Sequence, residues 1–117
     1  MGLSTHVLDT MHGCPAADMA VSLYATSGEQ ATLLKAFRLN ADGRNADGLL
    51  IGHEALEVGT YRLVFDVSGY FAQRGVDLPE PNFLNHVSLD FGVADPCAHY
   101  HVPLLVSPWS YSTYRGS

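Results

Sequence analysis

Apolar and polar residues alternate along this chain in short runs separated by turn residues, the pattern of half-buried β-strands. The clearest run sets Tyr61, Leu63 and Phe65 against Arg62, Val64 and Asp66. The same period predicts eight strands, over residues 4–10, 20–26, 31–39, 49–51, 60–67, 86–93, 99–106 and 110–115. Turn residues separate them at His12-Gly13-Cys14-Pro15, Ser27-Gly28, Ala41-Asp42-Gly43, Val58-Gly59 and Asp95-Pro96. One stretch breaks the rhythm. Residues 68–74 carry a cap-like Ser68, an aromatic pair and a following Gly75, which predicts a short helix. Pro79 and Pro81 then enforce an extended connection. Short strands at regular spacing indicate a sandwich or barrel.

Both ends of the chain carry unusual outward faces. In the run from His99, the residues Tyr100, Val102, Leu104 and Val106 form an uninterrupted apolar face, the natural core side. His99, His101, Pro103 and Leu105 then point away from the core. Ser110, Ser112 and Tyr114 alternate with Tyr111, Thr113 and Arg115 after the Ser107-Pro108 break. Near the start, His6 shares its face with Leu8. Solvated faces are usually built from Lys, Glu and Asp, so imidazoles, hydroxyls and leucines there predict a site that is covered by something.

Composition narrows the classes. At 117 residues the chain is read as one domain spanning 1–117, large enough to bury a core without staples. Charged residues make up only 15%, which suits a surface partly buried in an oligomer. The net charge of −6 argues against nucleic acid. No run of ~18 apolar residues predicts a membrane span, and no leader is expected before the strand that opens near residue 3. A cytoplasmic protein is the default, with Cys14 and Cys97 as free thiols.

No nucleophile elbow, phosphate loop, HExxH or paired CxxC is present. The residues left to carry chemistry are His6, Arg44, His101, Tyr114 and Ser117. An imidazole titrates near neutrality and can take a proton from water without a metal. Arg44, in the turn-like Asp42-Gly43-Arg44-Asn45, is either a solvated loop arginine or a planar five-donor clamp for a carbonyl-rich ring. His99 and His101 could supply two zinc ligands with His6 as a third, but same-face histidines arise easily and no metal is expected.

LSTHVLDT near the start, Asp42-Gly43-Arg44, and the closing HYHVPLLVSP and YSTYRGS together resemble the transthyretin-related 5-hydroxyisourate hydrolases over essentially the whole chain. The terminal YRGS, Tyr114 to Ser117, is the most specific element, because it separates the enzymes of that family from the hormone carrier. The resemblance implies an eight-stranded Greek-key β-sandwich of transthyretin type with one short helix. It implies hydrolysis of 5-hydroxyisourate to 2-oxo-4-hydroxy-4-carboxy-5-ureidoimidazoline in urate degradation. His6, Arg44 and Tyr114 would bind substrate, a metal-free His101 would join His6 in proton transfer, and Ser117 or its carboxylate would assist.

Which imidazole is the base stays open at this level. No cofactor is needed, because opening an electron-poor cyclic amide can run on acid–base and electrostatic help. The face built from His6, Leu8, His101, Pro103, Leu105, Ser112 and Tyr114 predicts a homotetramer, a dimer of dimers with sites at the interface. The rival is a transthyretin-like carrier holding a hydrophobic ligand in a channel between subunits.

Overall fold

A computed structural model describes residues 2–52 and 54–116. Among these residues, nine strands and one helix occur in the order β1 (Gly2–Asp9), β2 (Cys14–Pro15), β3 (Ala20–Ser27), β4 (Gln30–Arg38), β5 (Ile51–Gly52), β6 (Gly59–Asp66), α1 (Val67–Gln73), β7 (His86–Val93), β8 (Tyr100–Val106) and β9 (Tyr111–Thr113). They form two sheets. One runs β2-β1-β8-β9 with β5 also on β1, and the other runs β4-β3-β6-β7. The all-β sandwich with one short helix is as expected. The ninth strand is the two-residue β2, in a segment read from sequence as a turn.

Alternation builds the core. Leu3 and Val7 of β1, Val102, Leu104 and Val106 of β8, and Val21, Leu23, Leu63, Phe65, Val87 and Val93 of the opposite sheet are all buried in one cluster. Each large side chain so buried contributes roughly 1.5–3 kcal/mol. Two polar residues on the core side of β1 are satisfied internally, as burial demands. Thr5 donates its hydroxyl to the Val102 carbonyl at 2.7 Å. Asp9, 0% exposed, accepts from the Tyr70 hydroxyl at 2.7 Å and from His12 Nδ1 at 2.6 Å. Burial pushes its carboxyl up, but the bonds from the His12 N–H, Tyr70 and the His12 ring outweigh that and hold it below the usual carboxylate value. Tyr70 lies in α1, so this network ties the helix to the first strand.

The helix begins one residue earlier than the sequence pattern predicts. Asp66, not Ser68, is the cap, accepting from the Gly69 N–H, while the Ser68 hydroxyl donates to Asn85 Oδ1 at 2.7 Å. A carboxylate at the strand end caps as well as a hydroxyl and in addition favours the helix N-terminus electrostatically.

The arrangement that positions the site is the parallel pairing of β1 with β8, in which Leu3 to Asp9 lie beside Tyr100 to Val106. The other edge of β1 is covered in pieces. β5 pairs at Gly2 and Leu3, β2 pairs at Leu8 and Asp9, and an isolated bridge joins His6 to Arg44 between them. On its far side β8 pairs with β9, Leu105 facing Ser112, and an isolated bridge joins His101 to Gly116 in the same register. The last strand is shorter than the predicted 110–115. In that register Tyr114 falls opposite Pro103, which has no N–H to donate, so the ladder lapses there and resumes at Gly116.

Candidate active site

These pairings set the outward side chains of the first sheet in rows. Leu8, Leu105 and Ser112 form one row. Arg44, His6 and Pro103 form the next. Ser4, His101 and Gly116 form a third. Neighbouring strands lie about 4.8 Å apart and same-face residues about 6.7 Å along a strand, so the His6 and His101 Cα atoms are roughly 8 Å apart. The sandwich thus brings His6, Arg44 and His101 together, while Tyr114 lies in the unpaired stretch between β9 and the His101–Gly116 bridge. Ser117 lies outside the described residues.

Arg44 reaches this place through a tight backbone contact. The Val7 N–H donates to the Gly43 carbonyl at 2.9 Å, and Gly43 has φ of 74°. A Cβ there would come within 2.5 Å of the Val7 carbonyl oxygen and 3.2 Å of Pro15 Cβ. Only glycine lets this turn lie against β1 with Arg44 beside His6. The Asn40 side chain secures the turn, accepting from the Asp42 and Arg44 N–H groups at 2.9 and 3.1 Å.

Both imidazoles are half-buried and both titrate below the ordinary value of 6.5. For His6 the main cause is burial, followed by the Arg44 charge, partly offset by the Asp42 carbonyl and carboxylate. For His101 it is again burial, then Arg44, His6 and His99. Each ring is therefore neutral at neutral pH and free to accept a proton. The guanidinium that depresses both is exposed and stands ready for an electron-rich partner.

His101 has a partner that the sequence reading passed over. Ser4, 8% exposed, holds its Oγ 2.8 Å from His101 Nδ1 and a longer 3.4 Å from His99 Nε2. The signal was available in the alternation, since Ser4 lies two residues before His6 on the same face. What lies between the two histidines of the H-x-H is this hydroxyl. Among the described residues, no three His, Cys, Asp or Glu side chains converge as a ligand set.

The C-terminal segment is anchored. Arg115 stacks its guanidinium 4.2 Å from the Tyr100 ring centroid and donates to the His99 carbonyl at 3.2 Å. The Gly116 N–H donates to the His101 carbonyl at 2.8 Å. Tyr114 is 62% exposed and borders a groove of about 450 Å³ between β7 and β9, lined also by Leu89, Phe91 and Val102. A larger concavity, about 630 Å³, lies between α1 and the proline-rich connection that follows it. His6, Arg44 and His101 line neither.

Comparison with known proteins identifies the family. Residues 3–116 match the HIUase/Transthyretin family. A 5-hydroxyisourate hydrolase of Ralstonia nicotianae is 56% identical over 115 residues, covering 98% of this chain and 97% of that protein. Among solved structures, (S)-allantoin synthase superposes with a TM-score of 0.91 at 47% identity, over 99% of this chain. The chain corresponds to only 43% of that longer protein. Sea bream transthyretin, solved with thyroxine, superposes with a TM-score of 0.84 at 27% identity, over 99% of this chain and 95% of the other. A family match over nearly the whole length, with a relative above half identity, places the chain in the HIUase/Transthyretin family.

Proposed function

We propose that this protein hydrolyses 5-hydroxyisourate to 2-oxo-4-hydroxy-4-carboxy-5-ureidoimidazoline, a step of urate degradation. The observation that carries the reading is the meeting of two half-buried imidazoles and one exposed guanidinium on adjacent rows of a sheet face. Such a set can move protons and bind a planar, carbonyl-rich ring. The relatives named for this reaction support the choice of substrate.

In this reading one imidazole takes a proton from water as the oxygen attacks a ring carbonyl. Arg44 orients the ring and stabilises the oxyanion that forms. Collapse of the tetrahedral intermediate breaks the ring C–N bond, and the leaving nitrogen takes a proton from the imidazolium, returning it to the neutral base. Tyr114, with its ring largely exposed, holds the substrate. Two imidazoles and a guanidinium at the centre of the face suit this chemistry better than an apolar ligand, which disfavours the carrier alternative.

The working unit in this proposal is a homotetramer, a dimer of dimers that closes the open face against a second copy. Half-buried Leu8 and Leu105 border the histidine rows, and covering them would exclude water from the site. The working place is the cytoplasm, whose reducing conditions suit the two free cysteines. No helix among the described residues is long and apolar enough to cross a membrane.

The direct test adds the purified protein to freshly made 5-hydroxyisourate and follows the absorbance decay. Decay faster than in buffer is expected; an unchanged rate rejects the reaction.

A further inference from the structure

We infer that Ser4 and Gly116 are positioning residues that clamp the His101 ring so that Nε2 is its working atom, with His99 closing a hydrogen-bond chain behind it. The two are the lateral neighbours of His101 in the sheet, one on β1 and the other in the segment that follows β9. On one side, Ser4 Oγ engages Nδ1 at 2.8 Å. On the other, the absence of a side chain at Gly116 makes room for the ring. A Cβ there would meet His101 Cδ2 at 2.6 Å, Cγ at 3.2 Å and Cβ at 3.3 Å. With Nδ1 held and Cδ2 packed, the edge left to face a substrate is Cε1–Nε2.

The hydroxyl also decides which nitrogen carries the proton. A serine has one hydrogen to donate and two lone pairs to accept with. His99 Nε2 stands 3.4 Å away on its other side. If the Ser4 hydrogen is directed to His99 Nε2, a lone pair is left to accept the Nδ1–H of His101. The second nitrogen of a neutral imidazole is then bare, so Nε2 is the basic atom. When Nε2 takes a proton from water, Nδ1–H stays on Ser4 and the new positive charge faces an oxygen lone pair. The chain therefore orients the base and stabilises its charged form, as the third member of a hydrolytic triad does for a histidine. Ser4 touches no reacting atom in this scheme. Its effect passes through His101, and the assignment rests on the reaction proposed above only for what Nε2 acts upon.

Nitrogen-15 NMR of histidine-labelled full-length protein, recorded well above the titration range of the rings, reads the tautomer directly. His101 is expected to show a protonated Nδ1 and a bare Nε2. Ser4→Ala should shift it toward the Nε2–H form and lower kcat roughly tenfold, part of the ~10²–10⁴ that a placed base contributes, with KM changed by less than about twofold. Ser4→Thr, which restores the hydroxyl, should recover both, and Gly116→Ala should displace the ring and lower kcat. An Nε2–H tautomer in the unmodified protein overturns the clamp, as does Ser4→Ala with tautomer and kcat unchanged. The tautomer of the unmodified protein decides the matter even if Ser4→Ala does not fold. A protein that leaves 5-hydroxyisourate untouched would reject the reaction, while the spectrum would still judge the clamp.

Discussion

Gly43 and Val7 lie so close that the glycine carbonyl accepts the Val7 N–H at 2.9 Å while its Cα faces the Val7 carbonyl, leaving no space for a side chain. This contact carries Arg44 to His6. Gly43→Ala would meet a Cβ distance of 2.5 Å at a φ of 74°, so the turn must lift from β1. We expect a loss of about 1–3 kcal/mol in stability from the strained backbone and displaced contact. A rise in KM should accompany it as Arg44 moves. Thermal melts and steady-state kinetics on the one variant check both; a native Tm and KM would contradict the contact.

His6→Ala and His101→Ala should each cost on the order of 10²–10⁴ in kcat/KM. The melting temperature should fall little, because both rings are on the outward face, opposite Val7, Val102 and Leu104. Near-native turnover by either variant would remove that residue from the mechanism.

Arg44→Lys should not restore function. Lysine keeps the charge but lacks the planar fork that grips two acceptors at once. A merely solvated arginine would accept the change with little effect, so full activity of this variant would return Arg44 to that role.

The acid limb of kcat/KM should have its midpoint below 6.5, the ordinary imidazole value, because burial and then Arg44 depress the titration of His6 and His101. Arg44→Gln removes the second cause, so the limb should move up toward 6.5 even as overall activity falls. Stability follows the same sign. Below 6.5 the unfolded chain binds protons that the folded rings still refuse, so stability declines as pH falls through that window, and is unaffected by these two groups above it. Both rings are half-buried, so solvent screening keeps this effect small. A limb at or above 6.5 in the unmodified protein would contradict the assignment.

Leu105→Glu should break assembly and activity together, since a carboxylate would sit on the face proposed to meet a second copy. Gln30→Glu, on exposed β4, should do neither. Analytical ultracentrifugation beside the assay decides this, and a fully active monomer would be incompatible with a site closed by two chains.

Alternation alone was sufficient to say that His6 and His101 face away from the core and that Val7, Val102 and Leu104 face into it, because strand side chains have a fixed period of two. It also located most strands and the helix, since turn residues and apolar runs act locally. The pairing of β1 with β8 in parallel, which sets Ser4 beside His101 across 97 residues, is a long-range contact that no local pattern encodes. The same holds for Arg44, whose loop composition predicts solvent and whose place beside His6 depends on a glycine fitting against Val7. The shortened last strand required knowing that Pro103 would stand opposite Tyr114. Which side chains share a face is a property of each strand; which strands meet, and in what register, is settled only when two sheets close over one core.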